Sequence, residues 1–263
     1  MNHLLIIDPQ NDFCDLPGSA LPVPGAAADM RRLADFIRAR GDALDAITVT
    51  LDSHSPIHIA HPRWWQDAAG NSPAPFTAIP AADVDDGRWR ARDPAKQSWS
   101  REYVHALERG GRHVLVIWPE HCLMGSSGHN IHPAVKAELD AWSRKHLRAV
   151  EMVIKGLNPN TEHYSAVRAE VPDPADPQGG MNPTFVRAMQ ESPRVLVAGE
   201  ALSHCVASTV RDLGEAIPGF AGRCTLLADA TSPVGGFEHL GAAFVDAMRA
   251  HGMTVATTQE VRP

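Results

Sequence analysis

The chain has no cluster of lysine and arginine, no long apolar run and no cysteine framework, and each absence removes a class of function. With a formal net charge of -7, it lacks the basic footprint of a nucleic-acid or anionic-membrane binder. No apolar stretch approaches the roughly 18–20 residues of a membrane span. The opening MNHLLIID runs straight into a strand-like segment, without a basic leader or a cleavage site, so no signal peptide is expected. The four cysteines, Cys14, Cys122, Cys205 and Cys224, have neither metal-binding nor disulfide-framework spacing, which fits free thiols in a reducing cytoplasm. No internal repeat is visible. What is present is a chain of 263 residues, 44% apolar, long enough for a sizeable core. Histidine reaches 14 and tryptophan 6, and many of both fall between positions 54 and 146.

Short apolar, β-branched runs recur at residues 4–8, 47–52, 114–117, 152–155, 194–199, 225–229 and 254–257. Helical patterns lie between most of them. Residues 26–40 put Met30, Leu33, Phe36 and Ile37 on one face before Gly41; residues 203–215 and 237–251 show the same periodicity. Continuous apolar strands alternating with amphipathic helices predict an α/β fold, with a mainly parallel sheet of about six strands between two helical layers. One domain over 1–263 is expected, with long loop insertions at about 61–112 and 171–183. The first insertion holds four of the six tryptophans and is expected to be ordered and packed; the second is rich in proline and glycine.

Asp8, Asp52, Lys155 and Glu200 each end an apolar run, and in open α/β sheets the carboxyl ends of strands are where ligands bind. Cys205 follows the run 194–199 and falls in the first turn of the next helix, with Ser203 as its expected N-cap. A helix start lowers a thiol pKa and offers N–H groups to an oxyanion. A cysteine nucleophile also needs a proton acceptor and a stabilising cation, which Asp8 and Lys155 can supply from neighbouring strand ends. The bland alternative is a buried structural cysteine, and position alone leaves the two even.

Asp52 and His54, two residues apart at a strand end, can face one divalent ion; His58 and His61 are within reach, and His121 sits in Trp118-Pro-Glu-His121-Cys122. Carboxylate and imidazole ligands without thiolate suit zinc, iron or manganese, and affinity order does not choose among them; one divalent ion is expected, zinc before iron or manganese.

Together these segments resemble the isochorismatase-like cysteine hydrolases, and within them the nicotinamidase/pyrazinamidase branch. The resemblance covers nearly the whole chain outside the two insertions. It rests on Asp8-Pro-Gln10-Asn-Asp12-Phe13, on Asp52…His54…His58, on Trp118–Cys122, on Lys155-Gly156 with Tyr164-Ser165, and on Gly199-Glu-Ala201-Leu-Ser-His204-Cys205-Val206. It implies a catalytic trio of Asp8, Lys155 and Cys205, and metal ligands Asp52, His54, His58 and His121. It also implies a cis peptide at Glu200–Ala201, with the oxyanion site beside it. Phe13 and Trp118 match positions that flank the substrate ring, and His204 is expected to line the pocket. The implied reaction is hydrolysis of a small carboxamide such as nicotinamide to the acid and ammonia, and similar proteins are often homo-oligomers. A carbamoyl or ureido amidase, or an inactive binding protein on the same fold, are the competing readings. Three positions depart from the family pattern. Glu200 replaces an aliphatic residue, Ser53 replaces an aromatic one, and the segment between His58 and His121 is long.

Overall fold

The computed structural model describes residues 2–176 and 180–262. Its central sheet contains β1 (Asn2–Ile7), β2 (Ala46–Asp52), β7 (Glu151–Lys155), β8 (Arg194–Gly199), β9 (Cys224–Leu227) and β10 (Thr254–Ala256). They run in the order β10-β9-β8-β1-β2-β7, every pairing parallel. These are six of the seven apolar runs. Leu4, Leu5, Ile6 and Ile7 of β1 are fully buried, as are Val195, Leu196 and Val197 of β8. A strand buried on both faces has no polar alternation to show, which is why these segments read as unbroken apolar runs.

The helices are α1 (Ala26–Arg40), α2 (Ala81–Asp85), α3 (Gln97–Arg109), α4 (Pro133–His146), α5 (Pro183–Gln190), α6 (Ala207–Ala216) and α7 (Glu238–Ala250). From β1 the chain winds outward through β2 to β7, then returns to β8 and winds the other way to β10. Right-handed crossovers then put α1 and α4 on one face of the sheet and α5, α6 and α7 on the other. This is the expected three-layer α/β/α arrangement. On the first face α4 packs on α1, and its Trp142 Nε1 donates to the Gly41 carbonyl at 3.0 Å. The winding reverses between β1 and β8, and the carboxyl ends of those strands form the crevice where such sheets bind ligands.

The run 114–117 leaves this sheet. Only Leu115–Val116 forms a strand, β6, and it pairs antiparallel with β4 (Ala78–Ile79). The segment 61–112 is more regular than its sequence suggests. It carries a second ribbon of β3 (Trp65–Gln66) and β5 (Arg90–Ala91), and all of α3, which buries Tyr103, Val104 and Leu107. Trp65 is fully buried and donates to the Ile59 carbonyl at 2.6 Å. Residues 171–176 are irregular, as expected for the proline-rich segment; residues 177–179 lie outside the described residues, and α5 begins at Pro183.

Candidate active site

Asp8 follows β1, and Asp52 and Lys155 are the last residues of β2 and β7, directly opposite each other in register. Parallel pairing thus sends three charged side chains to one edge. The ammonium of Lys155 joins them. Its Nζ lies 2.8 Å from Asp8 Oδ2, donates to Asp52 Oδ1 at 3.0 Å and to the His163 carbonyl at 2.9 Å, and sits 3.5 Å from Cys205 Sγ. Burial alone would strip its proton, but the carboxylates of Asp52 and Asp8 outweigh burial and hold its pKa well above the ordinary lysine value.

The two carboxylates are driven apart. Burial raises the pKa of Asp8, with Lys155 pulling the other way. Asp52 is equally buried, yet His54 and Lys155 hold it well below the usual range. One carboxylate is therefore locked as an anion, while the other is free to trade a proton, which is how paired acids divide acid-base roles. Thr50 Oγ1 donates to Asp8 Oδ1 at 2.5 Å and accepts the Asp8 N–H at 3.0 Å. Asp8 is held at a positive φ of 42°, uncommon for a side chain of this size and concentrated at functional sites.

Cys205 lies in a wide, π-type turn, Leu202–Val206, that opens into α6. Two expectations change here. Ser203 is not an N-cap: its hydroxyl accepts the Val234 N–H at 3.0 Å and contacts His204 Nδ1 at 2.9 Å. Nor does the turn give a lowered thiol pKa. Burial pushes the Cys205 thiol well up, and the opposing charge of Lys155 only partly offsets it. Burial thus favours the protonated thiol over the thiolate. The Glu200–Ala201 peptide is cis.

Beside this trio, Asp52, His54 and His121 bring one donor atom each within 4.8 Å of one another, all buried. His121 Nδ1 is bonded to the Pro119 carbonyl at 2.8 Å, which leaves Nε2 facing Asp52 at 3.4 Å. A ligand histidine is commonly fixed through its second nitrogen in this way. Gly156, at φ +83°, lies against the cluster: a Cβ there would meet His54 Cε1 at 2.9 Å and Asp52 Oδ1 at 3.0 Å. A carboxylate, two imidazoles and a side-chain-free cradle fit a divalent metal ion. His58 does not join them. Its Nε2 is 3.1 Å from the Thr161 carbonyl and its Nδ1 accepts the Ala60 N–H at 3.2 Å, so both nitrogens are committed to backbone. His61 is fully buried with both nitrogens unbonded, its ring 5.2 Å from that of His54 and 5.4 Å from that of His121.

No family model matches the sequence. The nicotinamidase of Escherichia coli K12 is 26% identical over 80% of this chain and 74% of its own length. The yeast nicotinamidase Pnc1p, bound to the inhibitor nicotinaldehyde, superposes over 98% of this chain and all of its own, with a TM-score of 0.68 at 20% identity. The Pyrococcus horikoshii pyrazinamidase in complex with zinc covers 97% of this chain and 98% of its own, with a TM-score of 0.55 at 19% identity. The chain is thus similar in sequence to a nicotinamidase and shares the fold of the solved nicotinamidase and pyrazinamidase structures.

Of the positions that depart from the nicotinamidase pattern, Glu200 turns away from the pocket. Its carboxyl is fully buried, accepts the Ser232 N–H at 3.1 Å, and has its pKa pushed well up by burial and by Asp29. Ser53 turns to His129, its hydroxyl bonded to the ring Nε2 at 2.8 Å.

The pocket itself is walled by Phe13, Trp118, Tyr164 and His204, with Asp52, His121 and Cys205 at its base. Trp118 Nε1 donates to Tyr164 Oη at 2.9 Å, and its ring stands edge-on to His204 at 5.2 Å. Burial holds His204 near a pKa of about 3, so it is a neutral wall. The free cavity is only ≈ 20 Å³, about the space of one water.

Several participants escape a sequence reading. Gln10 clamps the Asp52 backbone, accepting its N–H at 2.7 Å and donating to its carbonyl at 2.8 Å. Asp12 accepts the Cys122 N–H at 2.7 Å and so fixes the loop that carries His121. Both stand in the Asp8–Phe13 motif, but nothing in their spacing distinguishes positioning from chemistry. Thr50 carries a fainter signal, two residues before Asp52 and hence on the same strand face. Glu162, buried in the pocket wall, has a pKa raised chiefly by burial, and no sequence pattern announces it.

Proposed function

We propose that this chain hydrolyses a small heteroaromatic carboxamide, nicotinamide being the type substrate, to the carboxylic acid and ammonia through a thioester on Cys205. The observation that carries this reading is the Lys155 ammonium held between Asp8, Asp52 and the Cys205 thiol, beside an Asp/His/His cluster.

Asp8 takes the thiol proton, and Lys155 stabilises the thiolate left behind. The sulfur attacks the amide carbonyl, and the N–H groups of Ala201 and Cys205 receive the oxyanion. The proton on Asp8 passes to the departing amine, releasing ammonia and leaving the acyl group on sulfur. Asp8, again a carboxylate, accepts a proton from water as the water opens the thioester, and the thiol is restored. Phe13 and Trp118 flank the ring, and His204 closes the side of the pocket. Asp52, His54 and His121 would hold a divalent ion, zinc being our first expectation, which would supply Lewis-acid character to the pocket. Work in the cytoplasm and self-association into homo-oligomers belong to the same reading; light scattering tests the latter.

The deciding measurement is ammonia release from nicotinamide by the metal-loaded protein and by Cys205→Ala. Activity in the first and none in the second supports the reading. An inactive metal-loaded wild type sinks the choice of nicotinamide, and full activity in Cys205→Ala sinks the thioester.

A further inference from the structure

On the face of the sheet away from α1, a groove of ≈ 460 Å³ runs between α6 and α7, within the usual size range of small-molecule sites. Arg211, Gly214 and Glu215 of α6 form one side, the Glu215 carboxylate being taken up by Arg112 and Arg168; Phe220, Met248 and His251, with the small residues Gly219, Ala221 and Ala247, line the rest. Charges around Arg211 do not cancel. Arg112 and Arg168 both pair with Asp212, at 2.6 and 2.7 Å, and both also bond Glu215. Two cations thus meet two anions. Arg211 has no carboxylate partner among the described residues; its guanidinium is held 5.6 Å from the centre of the Phe244 ring. Burial, and the nearby charge of Arg112, lower its pKa from the ordinary arginine value.

The floor of the groove is the second observation. Gly214 sits inside α6, where glycine is less favourable than alanine. Packing does not require it: a Cβ there would make only ordinary contact, 3.7 Å from Met248 Cε. The glycine leaves bare backbone beneath a surplus cation, with Phe220 and Met248 as apolar walls.

We propose that this groove binds a flat organic carboxylate, its anionic end on Arg211 and its apolar body between Phe220 and Met248. The site is separate from the catalytic pocket, although α6 continues directly from the turn that carries Cys205.

Benzoate is the probe, followed through the backbone amide signals of Gly214, Gly219 and Ala247, with benzamide and inorganic phosphate as controls. Benzoate is expected to shift these signals saturably and more tightly than either control. Arg211→Met, which keeps the apolar stem over Phe244, should weaken binding about tenfold or more. Gly214→Leu, which fills the floor without touching the charge, should weaken it similarly and stands in if the first variant folds poorly. The proposal is overturned if benzoate leaves these amides unmoved up to about 10 mM. It is equally overturned if benzamide or phosphate binds as well, or if both variants bind benzoate like wild type.

Discussion

Asp8 and Thr50 show how one hydroxyl can set the working range of a buried acid. Burial raises the Asp8 pKa, and the hydrogen bond from Thr50 is among the contacts that restrain that rise. In Thr50→Val the restraint is gone and the carboxyl keeps its proton to higher pH. A base that must be ionised to accept the thiol proton then fails sooner on acidification. The acid limb of the kcat/KM profile for ammonia release should therefore move toward neutral pH, with little change on the alkaline side. A limb that stays in place would mean Asp8 is not the group titrating. Gly156 offers a residue-scale test of the other half of the site. In Gly156→Ala, the methyl group would come 2.9 Å from His54 Cε1 at a φ of +83°. Disturbing a ligand's immediate support typically weakens metal affinity about 10–100-fold. Competition against a chromogenic chelator would read this directly, and unchanged affinity would remove the cluster from consideration as a metal site.

At the scale of elements, the legible parts were those whose period reports burial. α1 spans the residues its apolar periodicity marks, 26–40, because Met30, Leu33, Phe36 and Ile37 all face the core. α3 and α4 were not marked. In α3 the buried positions, Ser100, Tyr103, Val104 and Leu107, include a serine, and flanking tryptophans and prolines blur the pattern. The strand ends showed where charge accumulates but not where each side chain turns. Asp52 and Lys155 face each other in register, whereas Glu200, at the end of an equally apolar strand, points to Ser232 and Asp29. Direction depends on neighbours far away in sequence. The same holds for Glu170, in the segment under α6. Burial, and then Asp212, raise its pKa from 4.5 to about 7. Between those values the folded chain keeps a proton that the unfolded chain releases, so stability falls as pH rises through that window. The contribution is present in full below about pH 4.5 and gone above about pH 7, a swing on the order of 3 kcal/mol. Denaturant melts of wild type and Glu170→Gln at several pH values isolate it. The variant should gain on wild type by about that amount across the window, and a constant difference would show that Glu170 titrates normally.

Across the whole molecule, the site is a seam. Asp8 comes just after β1, Asp52 and His54 from β2 and the loop after it, His121 from the loop past β6, Lys155 from β7 and Cys205 from the turn after β8. Nearly every member of the cluster arrives on a different segment, so the cluster exists only when the sheet is assembled and the long 61–112 excursion is packed. Binding a metal to Asp52, His54 and His121 is therefore linked to global folding, because the unfolded chain cannot present the three donors together. At a free metal concentration about 1,000 times the dissociation constant, this linkage contributes roughly 4 kcal/mol. For a chain of this size that corresponds to a thermal shift on the order of 10 °C. Thermal unfolding of the metal-loaded protein, of the same protein after chelation, and of Asp52→Ala should separate the cases. Chelation should lower the melting temperature of wild type by about that amount and leave Asp52→Ala nearly unchanged. If wild type and variant respond alike, the stabilising metal sits somewhere other than this seam.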